Sequence, residues 1–258
     1  MKKLFGIILS GLMIAGCGKV ITYSNDFAAF AVINATPLAN PLPGMPTTNM
    51  RVFVDNRQLT GSNVVYTGAA APSYLSVAPG VKKIEVRSSL DLVTNFAISA
   101  TENFVSNTAS TFFVYDTLDN TTGRARLLRL NDTLTVPPAG FIKVRFVPVA
   151  VNAPAMDVTL VRTGVTPADS ITFFNQTYVG SNPPAGTIQA LSAFRTIPIG
   201  AYTVRLKAAG TQTLLIAPLA LSLTNLTGTG NLTGINTLFV TGTAKAQPLR
   251  IGLFRNYP

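Results

Sequence analysis

Few side chains in this sequence can do chemistry, and their types narrow the field at once. There is one cysteine, Cys17, and no histidine. Hydrolytic triads of the Ser-His-Asp or Cys-His kind are excluded, as are zinc sites that draw on His or Cys. The ten carboxylates remain: Asp26, Asp55, Glu85, Asp91, Glu102, Asp116, Asp119, Asp132, Asp157 and Asp169. A glycosidase needs two of them flanking a cleft. Asp116 and Asp119 could lie close together, but Asp116–Gly123 reads first as a hairpin turn. Hard oxygen ligands there could suit calcium, although the spacing is not that of an EF-hand. Gly228–Gly234 contains a G-x-G but lacks the Lys and the strand-to-helix setting that would cradle a phosphate. The expectation is a chain that is not an enzyme, with no catalytic residue, cofactor or metal site.

Cys17 has a chemistry of its own. Met1-Lys2-Lys3 is a short positive segment, followed by apolar Leu4–Gly16 and the small residues that precede the thiol. A positive start, a short apolar stretch and a small-residue cleavage site mark a secretory signal. The stretch is shorter than the roughly 20 apolar residues a membrane-spanning helix requires. Ile14-Ala15-Gly16-Cys17 resembles the bacterial lipobox, with Ile14 in place of the commoner Leu. That resemblance implies thioether lipidation of Cys17, cleavage before it, and acylation of the new amine by a palmitate-type chain. Residues 1–16 are then the signal peptide and 17–26 a lipidated tether, since several acyl chains anchor stably. Gly18, where Asp would favour the inner membrane, points to the outer membrane, facing the periplasm.

The elements that follow are read from composition and periodicity. Hydrophobic residues make up 47% of the chain and charged residues 12%. No apolar run beyond Cys17 approaches the roughly 18 residues of a membrane span. The formal net charge is +10, which invites anionic partners. However, Lys143 with Arg145, Arg205 with Lys207, and Arg124 with Arg126 stand two apart between apolar neighbours. That spacing predicts solvated outer faces of strands rather than a nucleic-acid surface. A face carrying Lys82, Arg87 or Arg124 could rest on anionic lipid. With Cys17 consumed by lipid, no disulfide is left within the chain.

Period-two alternation, punctuated by Gly, Pro, Asn and Thr, predicts an all-β fold with almost no helix. In the first half strands are expected at Phe27–Ala35, Met50–Asp55, Asn63–Thr67, Ser73–Val77, Val81–Arg87, Thr94–Ala100, Ser110–Asp116 and Arg124–Leu130. In the second they are expected at Phe141–Val149, Ala155–Val161, Ile171–Asn175, Ile188–Thr196, Ala201–Lys207, Thr213–Leu221, Thr237–Thr241 and Pro248–Phe254. Anchors repeat in order: Pro79-Gly80-Val81 with Ile199-Gly200-Ala201, Tyr74 with Phe194, Thr111–Val114 with Thr237–Val240. Two copies of one β unit are therefore expected, over 27–132 and 133–258. Pro137-Pro138-Ala139-Gly140 supplies a stiff linker near 131–140. The second copy is longer, and the surplus is placed around Arg162–Asp169.

At these anchors the chain resembles a bacterial family known only as domain of unknown function 4397. Val144–Val147 with Asn152–Val158 matches its leading pattern, as do Val32–Pro37 with Val52–Asp55; Ile199–Val204 matches a second element. The resemblance implies exported or anchored proteins built of tandem immunoglobulin-like β-sandwich domains, and brings no catalytic residues. The functional expectation is a lipid-anchored structural or protein-interaction module of the cell envelope; the alternative is a glycan-binding or adhesive surface lipoprotein. Partners would be the membrane, through lipid, and an envelope protein or polysaccharide. Asp116-Thr117-Leu118, Asp132-Thr133-Leu134 and Asp169-Ser170-Ile171 resemble an O-glycosylation triplet, although Asp before Ser or Thr also reads as a turn.

Overall fold

A computed structural model describes residues 26–37, 48–70, 74–97, 99–116, 125–166, 169–223, 234–243 and 248–256. The leader, Cys17 and most of the tether lie outside these residues, as do Arg124, Asp119 and nearly all of the Gly228–Gly234 loop. In the first half the strands are β1 (Ala28–Asn34), β2 (Met50–Val54), β3 (Arg57–Gln58), β4 (Leu75–Val77), β5 (Gly80–Ser88), β6 (Ala100–Phe104), β7 (Ala109–Tyr115) and β8 (Arg126–Asp132). The second half holds β9 (Phe141–Pro148), β10 (Met156–Arg162), β11 (Ser170–Gln176), α1 (Ala185–Ser192), β12 (Arg195–Pro198), β13 (Gly200–Ala208), β14 (Leu219–Leu223), β15 (Ile235–Thr241) and β16 (Arg250–Arg255).

Each half forms two four-stranded sheets. The first has orders β4-β1-β7-β8 and β3-β2-β5-β6, and the second β12-β9-β15-β16 and β11-β10-β13-β14. In both halves the first strand runs parallel to the seventh, Ala29 facing Ala109 and Asn236 facing Val144. All other pairs are antiparallel, which lets one face pack and the other meet water.

Alternating side chains close each sandwich. In the first, Phe30, Phe104 and Phe112 form an aromatic cluster with centroids 5.4 to 6.3 Å apart, ringed by Val52, Ile84 and Val86. In the second, Phe146 meets Phe173 at 6.0 Å among Val158, Leu160 and Val204. Offset and edge-on ring pairs of this kind add about 0.5–1.5 kcal/mol to the burial itself.

A third core joins the halves. Ile33, Phe113, Tyr115 and Leu130 from one sandwich pack with Val147, Val149, Phe239 and Phe254 from the other. Phe113 and Phe239 meet edge to face at 5.4 Å. This explains why β1, β7, β9 and β15 are apolar on both faces: one faces its own sandwich, the other faces its neighbour.

A polar network lies in the same seam. Arg145 Nη2 stands 2.7 Å from Asp132 Oδ1, with side-chain exposures of 1% and 0%; the contact is an ion pair rather than an aligned hydrogen bond. Asp132 Oδ2 accepts the hydroxyls of Tyr74 and Thr111, both at 2.6 Å. Arg145 Nε donates to Thr237 at 2.9 Å, and Thr237 donates to Asn256 Oδ1. Asn256 Nδ2 closes the circuit on Tyr74 at 2.9 Å. Arg145, expected on a solvated face, is thus a buried residue. Burial of β9 on both sides removes the solvent its alternation seemed to require.

Other expectations shift at the loops. Asn63–Thr67 gives only a bridge from Val64 to Met50, and β3 pairs with β2 instead. Thr94–Ala100 contributes bridges at Asn95 and Ala97 while the strand proper is β6. Thr213–Leu221 likewise gives a bridge at Leu214 before β14. Ile188–Thr196 is split between α1 and β12. The extra length of the second half goes mainly into the β10–β11 hairpin, as placed.

Candidate interaction surface

Several of the described carboxylates pair with cations or hold backbone amides. Asp55 pairs with Lys82, Glu85 with Lys83 and Arg87, Asp116 with Arg126, and Glu102 with Arg129. Asp157 holds the backbone N–H groups of Asn175 and Gly210, which lower its pKa. Asp116 sits at a left-handed φ of 75° at the end of β7; the rest of the expected Asp116–Gly123 turn lies outside the described residues. Among the described residues no group of three or more acids could hold a metal ion. In the triplet Asp132-Thr133-Leu134 the acid is committed to the buried network.

Of the expected basic face, Lys82 and Arg87 are described and do not share one open face. Lys82 and Arg87 are five apart on β5 and leave it on opposite sides. Lys82 is held by Asp55 at 3.1 Å. The guanidinium of Arg87 lies 4.2 Å from the Phe53 ring and 2.7 Å from Glu85, so it shields an aromatic on the outer sheet. Burial raises the pKa of Glu85, but the Lys83 ammonium has the larger effect, and with Arg87 it holds the carboxyl below its usual range.

The surface feature that sequence reasoning passed over is the β5–β6 connection. Leu90, Leu92 and Val93 are 56%, 39% and 75% exposed within four residues. The turn is nevertheless tightly bonded. Ser88 N–H donates to Thr94 O at 2.8 Å, and Leu92 N–H to Ser88 O at 3.0 Å. Asp91 Oδ1 accepts the N–H groups of Val93 and Thr94, both at 3.0 Å, and its Oδ2 accepts the Thr94 hydroxyl at 2.5 Å. That hydroxyl, first, and then the two amides hold the carboxyl below its ordinary pKa. Leu92 adopts φ 58°, a conformation costing a bulky side chain about 1–3 kcal/mol. The bonded frame overrides that cost and fixes three aliphatic side chains in water. A signal was present: Leu90-Asp91-Leu92-Val93 puts three large aliphatics where a turn is normally polar.

The loop occupies one end of the sandwich. Gly80 faces Phe104 across β5 and β6, and Asn107 N–H donates to Phe27 O at 3.0 Å. The chain therefore enters at the opposite end of β5 from this loop.

A profile of the family described as Domain of unknown function (DUF4397) matches residues 28–159. The chain belongs to that family. The DUF4397 match covers the whole first sandwich and continues through β9 into β10. None of the curated proteins matches the sequence. Among solved structures, the Bacillus anthracis TIE protein is 8% identical at a TM-score of 0.23, covering 84% of this chain and 34% of its own. This chain thus spans about a third of that protein's length. A CBM26 module of Eubacterium rectale Amy13K, solved with maltoheptaose, is 9% identical at 0.23, over 90% and 98% of the two chains. The C-terminal fragment of pilus adhesin SpaC from Lactobacillus rhamnosus GG is 12% identical at 0.23, over 86% and 98%. The β-sandwich assignment rests on the sheets themselves.

Proposed function

We propose that this DUF4397 protein is a lipid-anchored, non-catalytic module of the cell envelope that binds another envelope protein through the Ser88–Thr94 loop. The observation carrying this reading is a strained, fully bonded turn that holds Leu90, Leu92 and Val93 in solvent. Strain of this kind persists where a surface is pre-organised for contact. The anchor reading comes from the leader and Cys17, with the outer membrane, periplasmic face, as the address. A tether ending at Asp26 leaves the first sandwich near the bilayer, and the loop at the far end of β5 points away from it. Asp91 among the three aliphatics favours a protein pocket over insertion into lipid. The matching strand orders support reading 27–132 and 133–258 as two copies of one unit.

The test is a photo-crosslinking amino acid at position 93 of the full-length chain in intact cells. A discrete adduct that disappears on Leu90→Asp, with the melting temperature unchanged, is expected. No adduct, or one indifferent to Leu90→Asp, counts against the reading.

A further inference from the structure

We propose that the cleft between α1 and the end of β11 binds a neutral oligosaccharide. The site lies where the second sandwich departs from the first. β3 has two residues whereas β11 has seven, and α1 stands in a connection that carries no helix among the described residues of the first half. Together these departures enclose about 510 Å³, within the size range of small-molecule sites.

The walls specify the ligand class. Asn175, Gln176, Thr177, Tyr178, Gly186 and Thr187 contribute lining, and no charged side chain does among the described residues. A charged ligand would find no counter-charge there, whereas amides and hydroxyls can both donate to and accept from sugar hydroxyls. The side chains of Asn175, Thr177 and Thr187 make no hydrogen bond among the described residues. Gln176 Nε2 donates to Phe174 O at 2.7 Å, which leaves its Oε1 to accept.

An exposed ring immediately precedes the lining residues in sequence. Phe174, next in sequence to Asn175, is 70% exposed. A register shift between β10 and β11 and a left-handed Asn175, φ 49°, re-aim the end of the strand. Asp157 fixes that geometry, taking Asn175 N–H at 2.7 Å and Gly210 N–H at 2.9 Å. Unpaired amides and hydroxyls suit the hydroxyl rim of a sugar, and an exposed ring one residue from them could meet its apolar C–H face. The cleft and the Ser88–Thr94 loop are separate surfaces, so either reading can fail alone.

The full-length protein is applied to an array of glucan, mannan and N-acetylglucosamine oligomers beside sialylated and sulfated ones. The best-retained oligomer is then titrated by calorimetry. Retention of neutral oligomers is expected, weakened about tenfold by Phe174→Ala. Gly186→Phe should abolish it, because Gly186 lines the cleft and a Cβ there meets no atom within 4 Å. Both variants should melt as the parent does. No neutral oligomer bound, a preference for acidic ones, or binding indifferent to both substitutions overturns the proposal.

Discussion

Arg145→Met is the most demanding perturbation of this molecule. It removes a guanidinium that stands 2.7 Å from Asp132, donates to Thr237 and packs 4.5 Å from the Phe194 ring. Methionine fills much of the volume, so the cost falls on charge. Asp132, with no exposed side-chain surface, keeps only the hydroxyls of Tyr74 and Thr111 as donors. A buried carboxylate stripped of its cation costs about 3–5 kcal/mol. For a chain of this length each kcal/mol lowers the melting temperature by about 2–4 °C, so the loss should be near 10 °C. Guanidinium titration followed by circular dichroism and tyrosine fluorescence suits the assay, because the chain has seven Tyr and no Trp. Asp132→Asn keeps acceptors for both hydroxyls and removes the charge, so Arg145→Met/Asp132→Asn should recover well over half the loss. A single-mutant cost below about 1 kcal/mol, or strictly additive costs, would refute the argument.

Gly252→Ala should destabilise by about 1–3 kcal/mol, because a Cβ there would meet the Phe239 ring within 2.1 Å; an unchanged denaturant midpoint would show that the ring can move aside. At high pH the seam tyrosines decide stability: burial, then the Asp116 carboxylate, pushes Tyr115 up to about 12, and burial also raises Tyr74 and Tyr178. Their folded pKa lies above the unfolded value of 10.0, so this stability is complete below pH 10 and declines as pH rises towards 12; a phenolate titration at 295 nm showing no delayed class would contradict it. Fragments Ile21–Asp132 and Thr133–Pro258 should associate one to one when mixed, because each alone exposes Phe113 or Phe239; size-exclusion chromatography showing two indifferent monomers would mean that the seam adds nothing. Cys17→Ser should release the protein from the membrane fraction, and fatty-acid labelling of that variant at the parent level would exclude the thiol as attachment site.

The strands were legible because β-sandwich alternation is local: Val81–Arg87 and Ala201–Lys207 carry it unaided. The anchor glycines Gly80 and Gly200 both open a strand at positive φ. Arg145 could not be placed, because alternation says which residues share a face and not what covers that face. Only the docking of two sandwiches turns Phe113, Arg145 and Phe239 inward. α1 was hidden for a related reason: Ala185–Ser192 has neither a side-chain N-cap nor charges in its end turns, so no capping signal announces it. The Ser88–Thr94 loop had a signal in its aliphatics, but the frame that makes it rigid comes from Asp91 and the strained Leu92, which no periodicity reports.

The first strand of each half has its partners far along the chain. Ala29 lies against Ala109, and β4 on its other side is also distant. A growing or threading chain thus delivers β1 long before anything can pair with it, and the sheet closes only when β7 arrives. Topology of this kind folds slowly because loop closure comes before any reward in contacts. Until then one edge of the apolar first strand has to remain unpaired, since β4 covers only the other. The first sheet therefore closes only after Tyr115, with β9 and everything beyond it still to pair.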